Sequence, residues 1–531
     1  MYTLSGNKIF SKKTGRELLL LISAVLLFAL SFPNFLNRWG FPFLAYFSLI
    51  PVFILVHRSG FIKSTIYGGI YGYLSYALFN FWLAVFNPNA FIIVPVIYMF
   101  YFMALFPLLK LADKLFPKNG YFLQVLLWLS YEYLRTLGFN GYSYGVLGYS
   151  QYNFTSLIGI ADIAGVVGVS LLIVFPSAII GHAMHDGINT LKVKFRSYLF
   201  PIFIWIILFS GSIIYSAVGK VDYSKSPVWR TALIQHNIDS WRKGFSTFKA
   251  AVDSLIRITD ESLKENPDII IWSETAYVPA IEFHLKYRDD RDKVELTQEV
   301  MRYIETLNVP IILGNNDTVK HRTFSEDYNA MLMIESSTIV NRYRKIHLVP
   351  YGEHFPYGKA FPWLDKIIRD SGASRFDAGT EYTIFEQGDI RFGGLICFED
   401  TFGYLTREFV KRGADVLVNI TNDSWSLEPV ASIQHMGMAV FRSIENRRSM
   451  VRSTNGGFTT VIDPNGKRIS ELEPFVAAYL VENVPVYTDK TTLYTRWGDW
   501  LNYFILLLTF CGFTLGFLIK YSNKKYQIVT I

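Results

Sequence analysis

The apolar positions of this chain follow two regimes. Before residue 220 and after residue 499 they run in long blocks with few charges; between them, apolar and polar positions alternate on short periods. A helix needs about 20 mostly apolar residues to cross a hydrocarbon core of about 30 Å. Segments of that order are predicted at 17–32, 40–57, 66–86, 90–110, 121–137, 155–181, 197–217 and 499–520, about eight spans in all. The expected organisation is a polytopic α-helical membrane domain over 1–217 with seven spans. An outer domain follows over 218–498, then a last span with a short tail over 499–531.

The middle of the chain reads differently. Short β-branched runs predict strands at Thr231–Gln235, Ile269–Trp272, Ile311–Gly314, Ala330–Glu335, Ile339–Tyr343, Gly393–Cys397, Val416–Ile420, Met450–Ser453 and Thr459–Ile462. Helical periodicity marks 241–265, 291–307, 401–412 and 431–447. Strands alternating with amphipathic helices predict an α/β domain whose sheets are covered by helices.

Charge adds an orientation. The formal net charge is +7, but the basic residues do not form one face. They sit in alternate links: Lys8, Lys12, Lys13 and Arg16 before the first span, Arg58 and Lys63 after the second, and Lys110, Lys114 and Lys118 after the fourth. Lys192, Lys194 and Arg196 follow the sixth span, and Lys520, Lys524 and Lys525 the last. The intervening links carry only Arg38 and Arg135. Lys and Arg favour the cytoplasmic side, so both termini are expected in the cytoplasm and 218–498 outside it. With no basic face interleaved with aromatics, nucleic acid is not an expected partner. Ser31-Phe32-Pro33-Asn34-Phe35 lacks the small-x-small pattern of a cleaved leader, so the first span is expected to be retained. Glu132, Arg135 and Asp162 interrupt the spans; they read either as structural partners near the interface or as part of a lipid access route. The link 138–154, rich in Gly, Tyr and Asn, is expected to pack at headgroup level.

Three places carry candidate chemistry, each at or just after a strand end. They are Ile271-Trp272-Ser273-Glu274-Thr275, the run Arg342–Pro350 leading into Glu353, and Gly394-Leu395-Ile396-Cys397-Phe398-Glu399-Asp400. The chain has two cysteines, Cys397 in the outer domain and Cys511 in the last apolar segment, and no disulfide framework. A thiol becomes a strong nucleophile when a neighbouring carboxylate takes its proton, and an ammonium group can stabilise the oxyanion formed on attack at a carbonyl. Glu274, Lys345 and Cys397 therefore form a sufficient set for acyl transfer. Taken singly, Cys397 also reads as a small buried hydrophobe, Glu274 as a surface carboxylate and Lys345 as a solvated charge. His435 reads as a structural residue at the start of a helix.

The order Glu, Lys, Cys in these contexts resembles the nitrilase, or carbon–nitrogen hydrolase, superfamily, whose fold is an α-β-β-α sandwich. RYRKIHLVPYGEHFP, ICFE, TNDSW, QHMGMAVFRSIENRRSMVRSTNGG, VIDPNG and GYSQ at 148–151 are similar to the apolipoprotein N-acyltransferases of the bacterial inner membrane. The resemblance covers nearly the whole chain. It implies Glu274 as general base, Lys345 as transition-state lysine and Cys397 as nucleophile. It also implies Glu353 and Glu399 as supporting carboxylates that hold Lys345 charged and oriented. The backbone N–H of Phe398 becomes a second oxyanion donor, and Trp425 and Trp241 substrate-side aromatics. Against the usual pattern, Ser273 and Thr275 flank the Glu, Phe398 replaces a Tyr, Ser426-Leu427 follows Trp425, and Trp241 stands closer to Gln235 than usual.

The resemblance further implies a phospholipid acyl donor, typically phosphatidylethanolamine, and a diacylglyceryl-apolipoprotein acceptor held among membrane lipids. The chemistry passes through a cysteine thioester with no metal or organic cofactor. The location implied is the bacterial cell inner membrane, with the catalytic domain periplasmic. A membrane-tethered nitrilase-type amidase would share the triad. A transporter would show helix breaks paired in two halves, and none is visible.

Overall fold

A computed structural model describes residues 12–529 apart from 87, 186–187, 240–243, 275–277, 356, 359 and 371–374. Among the described residues, five helices are long and apolar enough to cross a membrane: Lys13–Ser31, Pro88–Leu115, Ala161–Met184, Phe195–Val218 and Trp500–Asn523. Helices Phe195–Val218 and Trp500–Asn523 turn most of their apolar side chains outward, Phe203, Ile214, Leu507 and Phe510 among them, as suits helices that face lipid, whereas Ala161–Met184 is mostly buried among its neighbours.

The expected count of about eight is not carried by helix length and apolarity. Segment 40–57 falls on a broken rod, Pro42–Leu44, Ala45–Ser48 and Ile50–Arg58, with a proline opening the first and third pieces. Segment 66–86 falls on Phe61–Phe79 and the short Leu83–Phe86. In the former, glycines replace large apolar residues so that the backbone can press on the neighbouring helix: a Cβ on Gly68 would stand 2.2 Å from the Phe102 carbonyl oxygen. Segment 121–137 falls on Gly120–Leu134, only 15 residues long.

The polar residues of this region have structural partners. Arg135 Nη1 donates to the Tyr98 hydroxyl at 2.6 Å and to the carbonyls of Tyr142 and Tyr144 at 2.9 Å each. Glu132 Oε1 accepts from the Leu147 N–H at 3.0 Å. Both thereby fold the 138–154 link back onto the bundle. Asp162 Oδ2 pairs with Arg447 Nη2 at 2.9 Å and Lys490 Nζ at 3.0 Å, which ties the bundle to the outer domain.

Among its described residues the outer domain has twelve strands: β1 Val228–Gln235, β2 Ile269–Trp272, β3 Ile311–Lys320, β4 Ser325–Glu335, β5 Thr338–Arg344, β6 Ile384–Gln387, β7 Ile390–Ile396, β8 Val416–Thr421, β9 Ser449–Thr454, β10 Thr460–Ile462, β11 Arg468–Glu471 and β12 Ala478–Pro485. They form two six-stranded sheets, ordered β12-β1-β2-β3-β4-β5 and β11-β10-β9-β8-β7-β6. The centre of each is parallel, β1-β2-β3 and β7-β8-β9, with antiparallel strands added at the flanks.

Period-two alternation assigns the faces. Leu233, Ile269, Ile271 and Met331 of the first sheet pack with Phe392, Val418 and Val451 of the second. Ile234, Ile270 and Leu313 point the other way, onto Leu255, Ile258, Val300 and Ile304 of helices Phe245–Leu263 and Arg291–Glu305. Helices Gly403–Lys411 and Pro429–Asn446 belong to the second sheet's side, completing an α-β-β-α sandwich. Helix Pro429–Asn446 is buried from Val430 to Asn446 because its far side docks on the bundle. There Gln434 accepts from Trp82 Nε1 at 3.1 Å and donates to the carbonyls of Pro33 and Phe79 at 2.9 and 3.3 Å.

Candidate active site

Strand β7 delivers Cys397, the candidate nucleophile. Its two glycines let the neighbouring layers close on it: a Cβ on Gly394 would stand 2.7 Å from Met331 Sδ in the facing sheet, and one on Gly393 2.6 Å from Phe409 Cβ in the covering helix. The strand ends at Ile396, and the chain turns sharply into a short 3₁₀ segment, Cys397–Thr401. Cys397 itself has φ +52°, the left-handed region that a non-glycine residue occupies at a cost of order 1–3 kcal/mol. Asn419 Nδ2 holds the strained turn by donating to the Cys397 carbonyl at 3.0 Å.

Glu274 lies just past β2, on the first sheet. Its Oε1 accepts from Asn329 Nδ2 at 2.7 Å, and its Oε2 accepts from the Asn422 N–H at 3.0 Å. The Cys397 thiol lies close enough to this carboxyl for the two to influence each other's ionisation. Lys345 follows β5 and is fully buried. Its Nζ donates to Glu353 Oε1 at 2.8 Å and approaches Glu274 Oε1 at 3.5 Å. Glu353 Oε2 accepts from the Val349 N–H at 2.8 Å, so its carboxylate is fixed within its own loop. The structure thus brings Glu274, Lys345, Cys397 and Glu353 together from three separate segments.

The electrostatics follow from burial and from this pairing. Burial pushes the Cys397 thiol well above its ordinary range, Glu274 adds to that, and Lys345 opposes it. Burial likewise raises Glu274, with Lys345 pulling down and Glu353 pushing up. Burial works against the Lys345 ammonium, but Glu353 and Glu274 outweigh it and keep the group charged. The resting sulfur is therefore a thiol. Beside it stands a carboxylate made more basic than usual, which suits proton transfer during attack.

Glu399 interacts with the Lys345 charge and bonds to the backbone that follows it. It makes no described hydrogen bond to Lys345. Its Oε1 accepts from the Tyr343 hydroxyl at 2.8 Å and from the N–H groups of Ile346 and His347 at 2.8 and 2.9 Å, while its Oε2 accepts from the Ile396 N–H at 2.8 Å. The carboxylate staples the backbone after Lys345 to the backbone before Cys397. Burial pushes it up to about 7 against these donors and the Lys345 charge. Glu399→Gln would set an amide N–H₂ against the Ile396 N–H and leave a buried donor unpaired, at about 1–3 kcal/mol. The expected result is a lower unfolding midpoint and a kcat reduced about tenfold by misplacement of the thiol, with the donor KM within about twofold. Thermal unfolding and steady-state kinetics of the variant check this.

Phe398 packs edge-on to Phe402 at 4.9 Å and lies parallel to Tyr144 of the 138–154 link at 6.5 Å between ring centroids. Trp425 sits on the short turn Ser424–Ser426 after Asn422 and is partly exposed. Trp241 lies outside the described residues. Residues that sequence reasoning missed are Asn329, Asn419 and Asn422, together with Asp400, Asp423 and Arg452 behind the nucleophile. A signal for Asn329 was present: it is a lone amide entering the apolar run Ala330–Ile334. Among the described residues, no cluster of three His, Cys, Asp or Glu side chains is placed to hold a metal ion.

Comparison with known proteins places this geometry in a family. Residues 24–179 match the apolipoprotein N-acyltransferase N-terminal domain, and residues 230–487 match the carbon-nitrogen hydrolase domain. Apolipoprotein N-acyltransferase 1 of Treponema denticola is 38% identical over 96% of this chain and 98% of its own length. Apolipoprotein N-acyltransferase 1 of Treponema pallidum is 38% identical over 95% of each. Among solved structures, a nitrilase-superfamily amidase from Nesterenkonia covers 48% of this chain and 90% of its own, with 14% identity and a TM-score of 0.36. With both domains matched and relatives aligned from end to end, the chain belongs to the apolipoprotein N-acyltransferase family, acyltransferases whose catalytic part is a carbon-nitrogen hydrolase domain.

Proposed function

We propose that this enzyme moves an acyl chain from a phospholipid, phosphatidylethanolamine in the simplest case, to the α-amine of an S-diacylglyceryl-cysteine apolipoprotein, through a thioester on Cys397. The observation that carries this reading is the seat of the nucleophile's turn. Phe398, next to Cys397, packs against Tyr144 in a link between apolar helices, so the thiol stands at the edge of the lipid-facing bundle.

In the first half-reaction Glu274 takes the Sγ proton as sulfur attacks the ester carbonyl. Negative charge gathers on the carbonyl oxygen and is met by Lys345 Nζ and the Phe398 N–H. The C–O bond breaks, and Glu274 passes its proton to the departing lysolipid oxygen. In the second, Glu274 takes a proton from the acceptor amine, nitrogen attacks the thioester carbonyl, and the C–S bond breaks. The proton returns to sulfur, and an amide and a free thiol result. Glu353 keeps Lys345 charged and aimed through both steps. Trp425, on the turn beyond Asn422, supplies an aromatic wall for substrate, and Trp241 is assigned the same role by its place in the sequence.

The test is to incubate the purified enzyme with acyl-labelled phospholipid. A label on Cys397 that hydroxylamine removes, and that moves to a diacylglyceryl-peptide when one is supplied, is expected. Release of labelled fatty acid to water with the peptide left unmodified would make the enzyme an amidase-type hydrolase instead.

The location proposed is the bacterial inner membrane, with both termini cytoplasmic and the sandwich periplasmic, as the lysines and arginines of the links imply. In a Cys511→Ala background, Glu381→Cys is expected to react with an impermeant maleimide on intact spheroplasts and Lys118→Cys only after lysis. The reverse pattern would overturn the orientation.

A further inference from the structure

Behind the nucleophile lies a buried group of four ionisable side chains that the proton transfers above do not use. Asp400 Oδ1 stands 2.7 Å from His435 Nε2, and Asp400 Oδ2 accepts from Arg452 Nη1 at 2.7 Å. Asp423 Oδ1 lies 3.0 Å from His435 Nδ1 in hydrogen-bond geometry, and its Oδ2 is 3.7 Å from Arg452 Nη2. The side chains of Asp400 and Arg452 are wholly buried, and those of His435 and Asp423 are 4% and 9% exposed. A carboxylate oxygen faces each ring nitrogen of His435. The Asp423 contact is a hydrogen bond and the Asp400 contact an ion-pair approach outside hydrogen-bond geometry; a neutral imidazole would turn a lone pair on one of those oxygens, so the two contacts together favour the doubly protonated ring. Two negative and two positive charges then cancel.

The placement of the four is specific. Asp400 belongs to the turn Cys397–Thr401. Asp423 follows Asn422, whose N–H holds Glu274 Oε2. Thr421 Oγ1 donates to Asp423 Oδ1 at 3.3 Å, and Asp423 contributes to raising the Cys397 thiol. His435 itself sits next to Gln434, the residue bonded to Trp82, Pro33 and Phe79 of the bundle.

We propose that His435 is a positioning residue for the acyl transfer: its imidazolium ties the nucleophile's turn to the loop that aims Glu274, and cancels carboxylate charge that would otherwise oppose thiolate formation at Cys397. The inference rests on the thioester reading above. Burial opposes charge on the ring, but Asp400 and Asp423 outweigh it and hold the ring up to about 9, with Arg452 pulling the other way. Asp423 is correspondingly held below its usual range: burial resists, and His435 and Arg452 prevail. Apart from these three, the titratable group facing the ring is Tyr144, 6.4 Å away between centroids.

The experiment measures the alkylation rate of Cys397 by iodoacetamide at neutral pH in the full-length enzyme carrying Cys511→Ala. His435→Gln leaves one net negative charge beside the thiol and is expected to slow alkylation roughly 10- to 30-fold, the order one uncompensated charge produces at the effective dielectric of a protein interior. Acyl-enzyme formation should fall in parallel, with the phospholipid KM within about twofold. The double variant His435→Gln with Asp423→Asn restores neutrality and is expected to recover most of the alkylation rate. Asp423→Asn alone leaves a net positive charge and is expected to alkylate faster than the parent, which a purely structural role would not produce; this arm stands even where His435→Gln fails to fold. A His435→Gln enzyme that alkylates at the parental rate, a double variant no faster than the single one, or an Asp423→Asn enzyme no faster than the parent would overturn the proposal. Failure of the parent to form an acyl adduct would instead count against the thioester reading, since alkylation is scored without any acyl donor.

Discussion

Cys397→Ala is expected to remove both the acyl-enzyme adduct and acyl transfer, to below one part in a thousand of the parental rate, while Cys511→Ala leaves both within about twofold. The contrast is set by position. Cys511 is exposed on helix Trp500–Val529, with nothing described near it that could take its proton. Cys397 is held in a strained turn with φ +52°, beside a carboxyl group and a buried ammonium. Alanine keeps the turn's backbone and removes only the atom proposed to form the thioester, so folding should be nearly unchanged. In a covalent mechanism the loss of the nucleophile removes both half-reactions at once. Single-turnover labelling of the two variants side by side is the measurement. A Cys397→Ala protein that still turns over normally would end the mechanism.

Lys345→Met should cost about 100- to 1000-fold in each half-reaction, the usual loss for one donor to a developing oxyanion. The structure adds a second reason. Without the ammonium, Glu353 and Glu274 face each other buried and uncompensated. The pair relieves this by taking up a proton, which also removes the base. Glu274→Gln separates the two effects. It keeps the size of the side chain and the Asn329 contact but cannot accept a proton, and a loss of about 100- to 10,000-fold is expected. It also removes the negative charge that helps hold the thiol up, so the thiol ionises more easily than in the parent. Raising the pH should therefore recover acylation in Glu274→Gln as thiolate accumulates; in Lys345→Met it should restore only the part lost to proton uptake by the Glu353–Glu274 pair and leave the oxyanion loss. The check is acyl-enzyme formation against pH for the parent and both variants. A Glu274→Gln enzyme that acylates at the parental rate near neutral pH would show that Glu274 is not the base.

Much of the sandwich was legible because its buried strands announce themselves. Ile269–Trp272 and Val416–Thr421 are apolar runs buried at every position, and the nine strands read from the sequence all have counterparts in the two sheets. The three that were missed, β6, β11 and β12, lie toward the outer edges of the sheets or are half-exposed, and their sequences IFEQ, RISE and AYLVENVP carry no buried run. The span count is matched only in part, since five described helices are long and apolar enough to cross a membrane. Hydropathy sees apolar content but not the breaks at Pro42 and Pro51, nor the glycine face of Phe61–Phe79 that packs on protein. At the site, Glu274, Lys345 and Cys397 could be picked out because each ends a recognisable strand within a distinctive motif. What Glu399 does could not, since its partners are mainly backbone N–H groups, and no spacing of side chains encodes those. The Asp400, Asp423, His435 and Arg452 group was equally hidden: its members come from four segments that meet only once β7, β8 and β9 lie side by side.

The pairing of β12 with β1 also sets a timetable for biogenesis. The first sheet is begun by Val228–Gln235 and bordered by Ala478–Pro485, the last strand of the domain, in antiparallel register from Val228 with Pro485 to Gln235 with Ala478. A ribosome delivers these partners some 250 residues apart, so on an emerging chain the edge of β1 stays unpaired while the whole second sheet is made. Long-range closure of this kind is slow, and an open sheet edge invites pairing with a neighbouring chain. The final apolar helix begins at Trp500, only a short tether after β12. The catalytic domain therefore completes its fold at nearly the moment its second anchor enters the bilayer, on an already inserted N-terminal bundle that offers helix Pro429–Asn446 its docking face.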